Sequence, residues 1–234
     1  MQKQTFPFLN NKLFFSKKDH IYRYENKKIM SVTHWVSSMF EPFNPYKVSK
    51  EVSENPNSQY YGMDPAEIRI LWSKTAGRGI KKHDSIEKWL NEIIDTCDES
   101  DFLINLGITP KTSWSEIPLF SKKLMLSGTS DIITQNSEND FTIWDIKTSE
   151  KIGDEKLQYY SIQMLVYCLL LLHMTNKKCK ISPGGIILIS PQNKISEGVE
   201  NKFKQPQLIE IDKSVTYKLK KHLKERKIEL KKYE

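Results

Sequence analysis

The sequence predicts an α/β domain with a mixed central β-sheet flanked by helices. Three observations carry that expectation. Residues 124–135 and 140–148 are apolar-rich, are joined by the polar turn Asn136-Ser137-Glu138-Asn139, and read as a β-hairpin. Residues 155–174 follow as a helix whose second half is almost wholly apolar and is therefore buried on most sides. Gly184-Gly185 then opens an unbroken apolar run over residues 186–190, as expected of a central strand.

From the N-terminus, residues 1–30 mix aromatics with lysines and show little periodicity, so Phe6, Phe8, Phe14 and Phe15 are expected to pack as an arm over the core. Residues 31–63 contain Pro42, Pro45 and Pro56 and read as a short helix followed by loop. A helix starts at Asp64, which can serve as N-cap, with Pro65 at the first helical position and Glu67 three residues past the cap. Gly77 and Gly79 are expected to interrupt it. A second helix over residues 80–96 places Ile86, Leu90, Ile93 and Cys97 on one stripe, widened by Trp89 and Ile94. Residues 114–120 form a further strand candidate, and residues 207–211 another. Residues 213–234 alternate lysines with Val215, Leu219, Leu223 and Ile228, as in a solvated amphipathic helix. The expected organisation is an N-terminal arm with short helices over 1–63, a core over 64–212 and a basic helix over 213–234.

A chain of 234 residues, 38% hydrophobic and 28% charged, fits one soluble globular domain. No stretch of about 18 continuous apolar residues occurs, and the first residues lack a signal-peptide core, so neither a membrane span nor secretion is expected. Three cysteines, Cys97, Cys168 and Cys179, are too few for a disulfide framework or a four-thiolate iron–sulfur cluster, and a cytoplasmic setting is the expectation. No Gly-x-x-x-x-Gly-Lys-Ser/Thr loop is present to hold a nucleotide cofactor. The net charge of +7 permits a polyanionic partner. Lysines number 32 against four arginines, which favours contact with phosphates over bidentate reading of guanine. The same richness in Lys, Ile and Asn also follows from an AT-rich coding genome.

The hairpin holds the densest chemistry. Its first strand carries Gly128-Thr129-Ser130-Asp131 and its second Trp144-Asp145-Ile146-Lys147. Strand side chains alternate, so Asp145 and Lys147 share one face while Trp144 and Ile146 point to the other. Asp131 on the neighbouring strand can converge with Asp145. Two carboxylates and the backbone carbonyl of Ile146 suit a hard divalent cation, Mg²⁺ or Mn²⁺, and Lys147 can stabilise charge on a phosphate. The tripeptide Asp-x-Lys is common, and by itself it equally describes a surface ion pair on a hairpin.

Taken in order, Gly79-x-x-x-His83-x-x-x-Glu87, Gly128-x-x-Asp131, Asp145-x-Lys147 and Gln163-x-x-x-Tyr167 resemble the motifs of the PD-(D/E)XK nuclease superfamily, in particular its RecB-like branch. Ser31-Val32-Thr33 before a short helix is similar to the N-terminal motif of phage exonucleases and mitochondrial genome-maintenance exonucleases of that branch. The resemblance covers roughly residues 20–190. It implies a restriction-endonuclease-like core and one or two Mg²⁺ or Mn²⁺ ions. His83 would be an additional metal ligand beside Asp131, Asp145 and Ile146. Asp131, Asp145, Lys147, Gln163 and Tyr167 would form the catalytic set, with Gln163 orienting Lys147 or touching DNA. Glu87 and Glu116 are minor candidates, and Tyr160 could line the same groove. Ile80 departs from the pattern, standing where relatives carry a small hydroxyl residue.

The activity implied is metal-dependent hydrolysis of DNA phosphodiesters, as an exonuclease in processing, recombination or repair of phage or viral DNA. A structure-specific endonuclease and a non-catalytic nucleic-acid-binding protein on the same fold are the alternatives. Binding is expected to ignore sequence and to favour single-stranded or ended DNA. Phe14, Phe15, Tyr22 and Tyr24 are candidates for stacking on bases, Lys17 and Lys18 for phosphate contact, and a helicase or single-strand-binding protein for a partner.

Overall fold

A computed structural model of the chain describes residues 5–10, 12–16, 19, 21–149, 151–190 and 205–230. Lys17 and Lys18 lie outside the described residues. The first described strands form a meander where the sequence suggests an arm: β1 (Leu13–Ser16), β2 (Ile21–Tyr24) and β3 (Lys27–Ser31) pair antiparallel in succession. Tyr24 pairs with Lys27, and the two residues between them, Glu25 and Asn26, take φ of 47° and 66°, as a tight hairpin turn requires. Phe15 stacks on Tyr22 with centroids 4.6 Å apart, and Tyr24 on Phe120 at 4.5 Å, so these aromatics are spent on packing.

Two short helices follow, α1 (Val32–Ser37), capped by Ser31 Oγ, and α2 (Pro45–Glu54), capped by Asn44; the second replaces an expected loop. The helix α3 (Pro65–Leu90) starts at the Asp64 cap and runs unbroken through Gly77 and Gly79, then ends six residues short of the expected 96. Each interior glycine costs about 1 kcal/mol relative to alanine. Gly79 faces Thr148 of the sheet, where a Cβ would make an ordinary van der Waals contact at 3.4 Å. A short helix, α4 (Ser100–Asn105), leads into β4 (Ser113–Ser121), β5 (Leu126–Ser137) and β6 (Asp140–Thr148). Then come α5 (Asp154–Met174), β7 (Lys180–Ile189), β8 (Gln207–Ile209) and α6 (Thr216–Leu230). β7 starts well before Gly184-Gly185. At Gly184 a Cβ would stand 2.5 Å from the Trp144 ring, so glycine admits the tryptophan where the ladder to β6 shifts register.

The result is a mixed eight-stranded sheet in the order β1-β2-β3-β5-β6-β7-β8, with β4 also paired to β5. Period-two alternation sends Ile133, Phe141, Ile143 and Ile186 to the face covered by α5, and Ile132, Trp144, Ile146, Ile187 and Ile189 to the face covered by the end of α3. By length and composition α5 could cross a bilayer, but Ile162, Met164, Val166, Leu170 and Leu171 are buried against the sheet. The helix α6 is docked by Leu219, with Val215 just before it, while Ile228 is 53% exposed. Its Arg226 is buried and donates to the carbonyls of Leu124 and Met125.

One interruption in the sheet positions the site. β5 pairs parallel with β3 at Leu126 and Ser127, and antiparallel with β6 from Ile132 onward. Between those ladders, residues 128–131 of β5 face a gap where β3 has ended and β6 has diverged.

Candidate metal centre

Asp131 and Asp145 stand opposite each other one step past the last paired residues, Ile132 and Trp144. Asp131 Oδ2 accepts a 2.7 Å hydrogen bond from the Ile146 backbone N–H, so the carboxylate replaces the missing carbonyl of the ladder. Its other oxygen, Oδ1, lies 3.9 Å from Nδ1 of His83 on α3, and Glu116 Oε1 on β4 lies 4.0 Å from the same nitrogen. The donor atoms of His83, Glu116 and Asp131 all fall within 4.8 Å of one another. These separations exceed hydrogen bonds. They are also wider than the roughly 3 Å between neighbouring ligands of one Mg²⁺, so a bound cation would draw the three groups inward by about 1 Å.

Glu116 reaches this position through its backbone. Its φ is 53°, in the middle of a strand, between paired Ser115 and Ile117. Sequence reasoning ranks it only as a minor candidate because residue type carries no sign of that angle.

Asp145 is buried, and its Oδ2 sits 2.6 Å from Lys147 Nζ, a charge contact without hydrogen-bond geometry. Burial pushes its carboxyl up to about 6, with Asp131 adding to the rise and Lys147 opposing it. Burial by itself would lower Lys147, but Asp145 and Asp131 outweigh it and hold the ammonium firmly charged. The ammonium also lies 4.8 Å from the centre of the Tyr160 ring. Burial likewise works against protonation of His83, yet Asp131 and Glu116 raise its pKa overall. Three carboxylates thus face one lysine and one histidine. This hard-oxygen, anion-rich donor set fits a divalent cation, with His83, Glu116 and Asp131 gathered where they could hold it and Asp145 alongside on Lys147.

Gln163 and Tyr167 on α5 are buried beneath this group. Gln163 Nε2 donates to Tyr167 Oη at 3.0 Å and to Thr33 Oγ1 at 3.2 Å, while Tyr159 Oη donates to the Thr33 carbonyl. The Gln163 amide thus bonds Tyr167 on its own helix and Thr33 on α1. Thr33 is the residue that sequence reasoning leaves without a role, although Ser31-Val32-Thr33 marks its position. Burial, then the charges of Asp145 and Asp131, push Tyr167 well above the ordinary phenol range. Its ring fills the space above Gly128, where a Cβ would stand 2.5 Å from Tyr167 Cε1. Glu87 lies one turn beyond His83 on α3 and is not part of the gathered donor group.

A family model described as the PD-(D/E)XK nuclease superfamily matches residues 60–234. No curated protein matches the chain. Among solved structures the chain is similar to SSO0001, at 15% identity over 83% of this chain and 73% of that one, with a TM-score of 0.35.

Proposed function

The chain belongs to the PD-(D/E)XK nuclease superfamily, and from that membership we propose that it is a divalent-metal-dependent exonuclease that hydrolyses DNA from its ends during DNA processing in a phage or virus. The observation that carries the metal-dependent reading is the approach of His83, Glu116 and Asp131 to within 4.8 Å beside the Asp145–Lys147 pair. The preference for ends rests on the order of motifs from Ser31-Val32-Thr33 to Gln163 and Tyr167. Free thiols at Cys97, Cys168 and Cys179 accord with work in a reducing cytoplasm.

A cation held by His83, Glu116 and Asp131, with Asp145 alongside, would act as a Lewis acid on the scissile phosphate. Lys147, kept charged, supplies a fixed positive charge toward the charge that develops on phosphate oxygens, and it cannot act as a proton acceptor while Asp145 holds it so. Asp145, ionised at neutral pH, adds its charge to the donor set and fixes Lys147 beside it. Gln163, Tyr167 and Thr33 hold the floor of the site in place.

Digestion of end-labelled linear and closed-circular DNA, single- and double-stranded, with Mg²⁺, Mn²⁺ or chelator tests this reading. Loss of linear DNA alone, abolished by chelator, is expected; cleavage of closed circles identifies an endonuclease, and no cleavage at all retires the reading. Lys147→Ala is expected to slow cleavage by about 10²-fold or more, by the loss of one preorganised transition-state donor.

A further inference from the structure

Phe15, Tyr22 and Tyr24 are engaged within the meander and its contact with β4, which leaves base contact to other aromatics. A second set stands in solution. Phe43, Tyr46 and Tyr61 are 65%, 71% and 60% exposed, although side chains of this size dominate cores and interfaces. The set centres on α3. Trp72 has Phe43 at 5.9 Å and Tyr60 at 6.1 Å between ring centroids, and Arg69 covers the Tyr46 ring at 4.6 Å while bonding Ser49 Oγ.

The same helix connects this patch to the metal centre. Trp72 and His83 are eleven residues apart, which is about 16 Å along an α-helix and about 20° around it, so they share a face. Between them on that face lie Ala76 and Gly79, and Gly79 is the point where α3 passes Thr148, next to Lys147. Residues 68–83 contain no acidic residue, and of their basic residues Arg69 flanks the Trp72 face while Lys74, Arg78 and Lys81 lie on the far side of the helix. Lys82 is held by Asp98 and Glu99.

We propose that Phe43, Tyr46, Tyr60 and Trp72 form a stacking platform for unpaired nucleobases, from which a single strand follows α3 to His83. Aromatic faces suit bases of any sequence, and Arg69 beside them, on an acid-free stretch of α3, suits an accompanying phosphate. A duplex presents only base edges and backbone to such a patch, whereas a single strand can offer its base faces. The destination of the strand rests on the nuclease reading; the stacking itself does not.

The test compares a short fluorescent oligothymidylate with an abasic phosphodiester strand of equal length, bound to the full chain in chelator and followed by anisotropy. Phe43→Ala combined with Tyr46→Ala, both at well-exposed positions, is expected to weaken oligothymidylate binding by about 5- to 100-fold. Affinity for the abasic strand is expected to stay within about twofold, because its phosphates are unaltered. Trp72→Phe should retain binding that Trp72→Ala loses, with thermal unfolding recorded for each variant. Unchanged oligothymidylate affinity in the double variant overturns the proposal, as does an equal loss on both strands. Self-association that Phe43→Ala abolishes, with DNA affinity intact, identifies a protein-docking surface and overturns it too. Digestion by the unaltered chain is scored separately. Stacking without cleavage retires the nuclease reading alone, and cleavage without stacking retires the platform alone.

Discussion

Glu116 occupies a left-handed backbone conformation in a strand whose neighbours are extended, at a cost of order 1 kcal/mol or more. That cost places a carboxylate beside His83 and Asp131. Glu116→Gly is therefore expected to raise stability in chelator by about 1 kcal/mol, or roughly 2–4 °C in Tm, while weakening Mn²⁺ binding. Thermal unfolding and calorimetric titration measure the two effects, and a variant that loses stability shows the angle to be unstrained. Asp145 and His83 carry a second expectation. A carboxyl raised to about 6 contributes stability that is present below the ordinary aspartate pKa and is lost as pH climbs through about 6. His83, also raised, contributes stability that is present below 6.5 and is lost above its folded pKa. Without metal the chain should lose stability from about pH 4 to about pH 6 through Asp145 and again above pH 6.5 through His83, and Mg²⁺ should restore it while releasing about one proton near pH 6. Titration in buffers of different ionisation enthalpy measures that release. Asp131, Asp145 and Lys147 are legible in the sequence because period-two geometry alone fixes the face of the last two and topology brings the first beside them. The place of Glu116 depends on a torsion angle, and that of Thr33 on a helix packing across the sheet; neither leaves a mark on residue type.

At the scale of elements, Gly128 and Tyr167 form a unit that joins β5 to α5. With a Cβ only 2.5 Å from a rigid aromatic ring, Gly128→Ala must move one of them. It is expected to cost about 1–3 kcal/mol by overpacking. Tyr167→Leu should recover part of that loss in the double variant, a non-additivity that denaturant unfolding can read. Elements whose hydrophobic period is undiluted, such as β6 over Asp140–Thr148 and the buried helix α5, follow from the sequence nearly to the residue. The β1–β3 meander does not, because Phe14, at 60% exposure, and the lysines of β3 obscure its alternation. The helix α3 misleads in the opposite direction. Its glycines look like breaks, yet a well-capped helix of 26 residues held by α2 and the sheet absorbs their cost.

At the scale of the whole molecule, 32 lysines and four arginines set the expected character of DNA binding. Affinity for single strands should fall with salt at a log–log slope of about −0.7 per phosphate neutralised, with equal slopes for unrelated sequences. Parallel titrations in chelator check this, and a flat response contradicts it. The parallel pairing of β3 with β5 also governs how the chain comes into being. Met30 finds its partner, Leu126, 96 residues later in the sequence. At about 5–20 residues per second of synthesis, β3 waits roughly 5–20 s for that strand to be made. Throughout that interval the meander has its open edge, with Tyr22 and Ile29 awaiting the Phe120 they later pack against. The meander is thus among the last elements to be secured although it is made before the rest of the sheet, and chaperones that shield such edges should meet it while the ribosome is still building the core.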